Sequence, residues 1–89
     1  VKIPNCEEIE NDGFIFCHAL QYVDCRKVKV IGKRAFNQCY MMQHYNCHDV
    51  QSVGIFAFGY NHSLHSIKFD KLEAIESEIL SNCTMLFFI

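Results

Sequence analysis

Residues 28–45 read VKVIGKRAFNQCYMMQHY, and the pattern in this stretch recurs along the chain at a fixed 22-residue interval. In it, Ile31 is followed by Gly32, by the pair Ala35-Phe36 and by Cys39. When the chain is shifted by this interval, without insertion or deletion, residues of the same kind coincide. Fixed spacing of this kind predicts a repeat protein. The columns include Ile9, Ile31, Val53 and Ile75; Phe14, Phe36, Phe58 and Leu80; and Cys17, Cys39, Asn61 and Cys83.

The 22-residue period is too long for a heptad or collagen, too short for a two-helix unit, and within the range of leucine-rich repeats. The segment Leu20-Gln21-Tyr22-Val23-Asp24-Cys25 has L-x-x-L-x-L spacing, which predicts a short strand whose last two apolar side chains point inward. Strands of successive repeats would lie about 4.8 Å apart and form a parallel sheet. The segment 33–39 is predicted to be a turn or a short helical piece on the opposite face.

The unit Val28-x-x-Ile31-Gly32-x-x-Ala35-Phe36-x-x-Cys39-x-x-Met42-x-x-Tyr45 resembles the BspA-type leucine-rich repeat, whose pattern reads roughly L-x-x-I-G-x-x-A-F-x-x-C-x-x-L-x-x-I. The resemblance covers almost the whole chain and is weaker in the outer copies, where Glu10 and Glu76 replace the glycine. It implies an α/β repeat solenoid: a right-handed leucine-rich-repeat coil of about four 22-residue repeats with a short-stranded parallel β-sheet on one face. It further implies adhesion or protein binding, a location at the cell surface or outside the cell, and neither catalysis nor a cofactor.

Composition indicates one small globular domain, residues 1–89. Of the 89 residues, 51% are hydrophobic and 20% charged, which excludes a disordered chain. No apolar run approaches the roughly 20 residues that cross a membrane, so this segment is not expected to insert into one. The net charge of −2, without a basic stripe, argues against nucleic-acid binding.

Both ends of the chain fall within predicted strands, at 1–3 and 86–89. Repeat arrays normally end in polar capping repeats, and neither end has the sequence of one. We therefore expect a fragment of a longer array that lacks its capping repeats, with neighbouring repeats of the same chain as its first partners. The alternative is that another chain covers the apolar edge.

The six cysteines admit two interpretations. Six thiols in a short chain suggest a small disulfide-stapled secreted domain. The register favours buried, unpaired thiols instead, because Asn61 and Phe69 occupy the same columns as cysteines in other copies. Oxidation remains geometrically possible between neighbours on adjacent repeats, such as Cys25 and Cys47.

No catalytic or metal-binding residue is predicted. The chain has no C-x-x-C spacing of the kind that zinc sites use. A cysteine-dependent enzyme is an alternative, but the register turns the cysteines toward the core and places His44, His48 and His65 toward solvent. Asn61 and Asn82 lie in N-x-S/T sequons. The Asn61 amide is expected to satisfy backbone groups instead, whereas Asn82 can be exposed.

The outward columns of the predicted sheet form the candidate binding surface. They vary between copies while the inner columns do not, and they mix aromatic, imidazole and charged groups, which favours a protein or peptide ligand. On the far side, Phe16, Tyr40 and Tyr60 are either a second contact or packing between repeats. An intracellular scaffold of the same fold would differ only in its location. The predicted binding residues are Tyr22, His44 and Ser66; Asp24, Asn46 and Lys68; and Arg26, His48 and Asp70.

Overall fold

The regular structure of the chain consists of short parallel strands in two sheets. The sheets have the orders β2-β4-β6 and β1-β3-β5-β7, so the chain passes from one sheet to the other and back. The computed structural model describes residues 6–75, 78, 79, 81 and 83. Within them the strands are β1 (Glu8–Ile9), β2 (Tyr22–Asp24), β3 (Val30–Ile31), β4 (His44–Asn46), β5 (Ser52–Val53), β6 (Ser66–Lys68) and β7 (Ala74–Ile75).

Each strand pairing joins residues that are 22 positions apart. Val23 pairs with Tyr45 in one sheet, and Ile31 pairs with Val53 in the other. The chain is thus a stack of layers, each containing one strand of each sheet: β1 and β2, then β3 and β4, then β5 and β6. The predicted interval and the predicted stacking of Ile31 on Val53 are confirmed. The strands predicted at 1–3 and 86–89 lie outside the described residues.

The sheet of β2, β4 and β6 is the one that the L-x-x-L-x-L spacing predicts, but the sequence does not predict the second sheet. The expected parallel sheet is therefore present, and a second parallel sheet accompanies it among the described residues. Strands β1, β3 and β5 have two residues each, so the alternation that identifies a strand is too short to detect. In β3, for example, only Ile31 is buried, and Val30 is exposed.

The segment 33–39, expected to be a turn or a short helical piece, contains a turn at residues 33–38. Arg34 and Gln38 have φ angles of 56° and 60°, and left-handed residues interrupt an α-helix. Similar turns occupy 11–16 and 55–60. The described residues include no helix, so the α component of the expected fold class has no counterpart among them. None of these residues forms a helix that could cross a membrane.

Backbone hydrogen bonds also join the turns of successive layers. Every second N–H group of a turn donates to a carbonyl of the next layer at 2.7 to 3.0 Å. The backbone groups of the turns are therefore hydrogen-bonded between layers, as those of the sheets are. The pairs are Asp12 to Lys33, Phe14 to Ala35 and Phe16 to Asn37, then Arg34 to Ile55, Phe36 to Ala57 and Gln38 to Gly59.

The core lies between the two sheets and the turns, and rings stack along it. The Phe14 and Phe36 ring centroids are 5.3 Å apart, those of Phe36 and Phe58 are 5.7 Å apart, and the ring planes of both pairs are nearly parallel. Tyr45 packs edge-on against Phe36 and Phe58 at 4.9 and 4.7 Å. The predicted superposition of the phenylalanine column is confirmed for these three copies, while Leu80 lies outside the described residues.

Gly32 and Gly54 allow the backbones of adjacent layers to approach each other closely. A Cβ atom on Gly54 would lie 2.6 Å from the backbone nitrogen of Lys33, and one on Gly32 would lie 2.6 Å from that of Asn11. Neither distance is sterically possible without backbone movement. The glycine column of the sequence therefore follows from the stacking of layers.

We expect Gly54→Ala to lower the free energy of unfolding by about 1–3 kcal/mol, because the added methyl group forces the Lys33 backbone away. Gly13→Ala is the matched control. Its Cβ would lie 2.9 Å from the Cγ2 methyl group of Ile9 and 3.1 Å from the Glu10 carbonyl oxygen, but alanine already occupies this column at Ala35 and Ala57, so the loss should be smaller, about 1 kcal/mol. Urea denaturation measures both, and equal losses would contradict the close-approach explanation.

Candidate binding surface

The first predicted column, formed by Tyr22, His44 and Ser66, lies in register across β2, β4 and β6. Tyr22 and His44 are exposed and Ser66 is half-buried. The rings of Tyr22 and His44 stack with centroids 5.8 Å apart and planes inclined by 2°. These side chains stand side by side on the outer face of the sheet, as the alternation of strand residues predicts.

Asp24, predicted to be a binding residue of the outer face, is buried: its exposed fraction is 3%. Asp24 ends β2, and its carboxylate accepts hydrogen bonds from the backbone N–H and the guanidinium of Arg26 and from the Asn46 amide. A short acidic side chain that bonds the backbone two residues ahead is typical of a turn. Asp24 thus fixes the turn after β2, and Arg26 and Asn46 cover its carboxylate.

The rest of the second column is partly described. Asn46 is half-buried, and its amide donates to the Asp24 carboxylate over 3.3 Å. Lys68 pairs with Asn46 in the strand register, but its side chain lies outside what the structure describes. The structure therefore brings Asp24 and Asn46 together as neighbours that bond to each other.

The third column is exposed and consists of charged or imidazole side chains with partners in the protein. Arg26 is bonded to Asp24, and the His48 Nδ1 atom lies 2.5 Å from an Asp70 carboxylate oxygen. Next to it, Lys71 contacts Asp49 at 3.1 Å. Exposed pairs of this kind contribute little to stability, but they hold the charges of adjacent layers in register.

A similar pair joins two layers across the turns. The Arg34 guanidinium donates to the Asp12 carboxylate at 2.9 and 3.4 Å. This hydrogen bond holds the pKa of Asp12 below its usual value and raises the pKa of Arg34. The pair is exposed, so we assign it a role in alignment and not in stability.

In the column of Cys17, Cys39, Asn61 and Cys83, the last three side chains donate equivalent hydrogen bonds, although two are thiols and one is an amide. The Cys39 thiol donates to the carbonyl of Phe14, and the Cys83 thiol donates to that of Phe58, at 3.3 and 3.2 Å. At Asn61 the amide donates to the Phe36 carbonyl at 2.9 Å. Each of these side chains satisfies the phenylalanine carbonyl 25 residues before it.

Asn61 is fully buried and makes further bonds. Its amide also donates to the carbonyls of Phe58 and Gly59, and its oxygen accepts from the Tyr45 hydroxyl. The expectation that the amide satisfies backbone groups is confirmed, and a side chain so enclosed is not accessible for glycosylation in the folded chain. The second sequon asparagine, Asn82, lies outside the described residues.

We expect Asn61→Ala to lower the free energy of unfolding by about 3 kcal/mol, because the Tyr45 hydroxyl and buried carbonyls lose their partner. Asn61→Cys should recover roughly half of that loss, since a thiol in this column can still donate to the Phe36 carbonyl. Chemical denaturation compares the variants. The shared role of the column is refuted if cysteine is no better than alanine.

The cysteine pair Cys25 and Cys47 lies in the core, with sulfur atoms 3.8 Å apart. Both thiols are free, and the separation is far beyond that of a disulfide. The hydrogen bond from Cys47 lowers the pKa of Cys25, whereas that same bond, together with burial, raises the pKa of Cys47 well above its usual value. Adjacent-layer proximity is confirmed, and Cys25, Cys39 and Cys47 are buried as predicted, whereas Cys6, Cys17 and Cys83 are half-buried.

Burial raises the pKa of the Cys39 thiol to about 11 from 9.0. The unfolded chain therefore loses this proton first on alkalinisation, which lowers the free energy of unfolding progressively between about pH 9 and about pH 11. Tyr45 and Cys47, whose pKa values are also raised, act in the same direction. In Cys39→Ser the hydroxyl keeps the donor but does not titrate. We therefore expect the free energy of unfolding of this variant to fall less steeply between about pH 9 and about pH 11. Denaturation experiments at several pH values measure this free energy, and the same pH dependence in the wild type and in Cys39→Ser would contradict the assignment of the loss to Cys39.

The described residues contain no group of three or more His, Cys, Asp or Glu side chains placed to hold a metal ion. His44, His48 and His65 are exposed, as the register predicts. Every buried side-chain nitrogen or oxygen in the described part of the chain has a hydrogen-bond partner.

A ladder of surface rings on the far side is only partly anticipated by the sequence. His18, Tyr40 and His62 occupy one column, and their ring centroids are 4.8 and 5.2 Å apart. Phe16 packs edge-on against His18, and Tyr60 against His62. Sequence reasoning singled out Phe16, Tyr40 and Tyr60 but missed both histidines, although each lies one repeat period from Tyr40.

Parallel strands paired at a constant interval and filled by ladders of like side chains define a repeat protein of stacked layers. The sequence profile of the BspA type leucine rich repeat region matches residues 1–89 as six copies, and the chain belongs to this family. This family consists of binding repeats that are generally non-enzymatic. Neither the curated proteins nor the solved structures contain a match to the chain.

Proposed function

We propose that this chain is a non-enzymatic module for protein binding or adhesion, which presents side chains on a rigid repeat sheet. The observation that carries the proposal is the strand register, which places Tyr22, His44 and Ser66 side by side on an outer face. Membership of a family of binding repeats supports it. In its full form the proposal is a single domain, residues 1–89, that forms a right-handed solenoid of about four 22-residue repeats and belongs to a longer array.

The physical basis of binding is a backbone that is ordered before the partner arrives. Both sheets and the turns are hydrogen-bonded between layers, so the outward side chains stand on fixed positions. A surface of this kind loses little conformational entropy on association, and more of the contact energy appears as affinity. Of the predicted residues, Tyr22, Arg26, His44, His48 and Asp70 are exposed and are the candidates for contact. Asp24 is assigned to the turn beneath them.

The free thiols bear on the alternatives. All six cysteines are unpaired, which favours buried thiols over a disulfide-stapled secreted domain. An intracellular scaffold shares every feature described above and differs only in location. We favour the cell surface or the extracellular space because the family resemblance implies it.

The test is selection from a random 12-residue peptide library displayed on phage, with the folded chain as bait. We expect convergent peptides that bind saturably to the chain in a calorimetric titration. Tyr22→Ala should lower the affinity of these peptides by about tenfold, as truncation of an aromatic anchor does. Glu73 is exposed and lies outside the predicted columns, so Glu73→Ala should leave the affinity unchanged. Failure to select any saturable binder would overturn the proposed function.

A further inference from the structure

The charged residues of this chain are confined to half of each repeat. None of the eight Lys and Arg or ten Asp and Glu residues lies in the windows 13–23, 35–45, 57–67 or 79–89. Four of the five histidines do lie there. The windows are equivalent under the 22-residue interval, so stacking places the first three directly above one another. Most of the fourth lies outside the described residues.

Part of this depletion reflects the core, because about half of each window points inward. The outward positions are the informative ones. They include Phe16, Met41 and Tyr60, whose exposed fractions are 53%, 46% and 41%. A surface that serves only solubility would carry Lys, Glu, Asp or Arg at about a quarter to a third of its positions. The outward positions of the three described windows carry none.

The aromatic and imidazole rings of these windows form a continuous surface. Ring contacts connect Phe16 to His18, His18 to Tyr40, Tyr40 to His62, and His62 to Tyr60. Met41 follows Tyr40 in the chain and is exposed. We call this surface, made of Phe16, His18, Tyr40, Met41, Tyr60 and His62, the charge-free face. The charged pairs described above, such as Arg34 with Asp12 and Lys71 with Asp49, all lie outside its windows.

We propose that the charge-free face is the docking surface for a protein partner whose contacting surface is itself uncharged. This inference rests on the proposed function and places the contact on the uncharged windows, which also contain Tyr22, His44 and Ser66, instead of on the charged column of Arg26, His48 and Asp70. Depletion of charged residues together with enrichment of Tyr, Phe and Met is the composition of the buried centre of protein interfaces.

The absence of charged side chains from this face determines the chemistry of the partner. A Lys, Arg, Asp or Glu side chain placed on this face would lose its water and meet no opposite charge, which is unfavourable. An uncharged partner surface has no such cost, so the face selects by rejecting charge.

A protein fits the face better than a glycan does. Sugars bind flat, open ring faces, but the rings of His18, Tyr40 and His62 pack against one another in a tilted arrangement, with centroids 4.8 and 5.2 Å apart. Phe16 and Met41 lack the hydrogen-bonding groups that a hydroxyl-rich ligand needs. These side chains offer apolar contact area instead.

The test uses the peptides selected from the same phage library, with charge introduced at matched sites. Met41→Glu and Tyr60→Glu place a carboxylate on the charge-free face, and Val30→Glu places one at an equally apolar residue, 39% exposed, outside it. Affinities are measured by calorimetry at pH 8, where histidine side chains carry little charge. Circular dichroism and urea denaturation check that each variant is folded.

We expect the selected peptides to contain fewer Lys, Arg, Asp and Glu residues than the starting library. Met41→Glu and Tyr60→Glu should each weaken binding by about tenfold or more, whereas Val30→Glu should change it less than about twofold. Wild-type affinity should vary less than about twofold between 0.05 and 0.5 M NaCl, because charge pairs do not hold the complex.

Three outcomes would overturn the inference while leaving the proposed function standing. The first is selection of charged peptides with salt-sensitive affinity. The second is loss of binding on Arg26→Ala or His48→Ala with no effect of Met41→Glu. The third is displacement of the peptides by dextran, a neutral glycan, which would assign the face to sugars. If no peptide binds the wild-type chain at all, the proposed function fails first.

Discussion

The structure depends on backbone hydrogen bonds that hold successive layers in a 22-residue register, in both sheets and in the turns. This pairing forces each side chain to lie above its equivalent in the preceding layer. The residues of each column must therefore be able to pack against one another in adjacent layers. Phenylalanine rings meet this condition by stacking, and Gly32 and Gly54 meet it by offering no side chain where backbones come within contact distance.

The same constraint explains why cysteine and asparagine share a column. The carbonyls of Phe14, Phe36 and Phe58 each accept a hydrogen bond from the following layer, and either a thiol or an amide supplies it. Buried polar groups are costly when unpaired, so the column is selected for a small donor and not for thiol chemistry. Asn61 adds the Tyr45 hydroxyl as a second partner, which ties the turn side of one layer to β4.

Charge is arranged by the register as well. Three pairs, Asp12 with Arg34, His48 with Asp70 and Asp49 with Lys71, join residues separated by one period. Like charges stacked at the layer spacing would repel each other, and opposite or imidazole partners avoid this. On the other half of each repeat no charge is present at all. The two halves therefore differ in what they can bind: one presents paired charges, and the other presents rings and a thioether.

The sequence by itself determined the period, the layer register and the family, because equal spacing of like residues survives in one dimension. Stacking of Ile31 on Val53 and of Phe36 on Phe58 could be read directly from it. Only the tertiary structure decided the second sheet, since its two-residue strands have no readable alternation. It also decided the burial of Asp24, which a strand pattern predicts to be exposed but whose carboxylate is covered by its partners Arg26 and Asn46. The exposure of a side chain at a strand end depends on hydrogen bonds made in space, and spacing along the chain does not encode them.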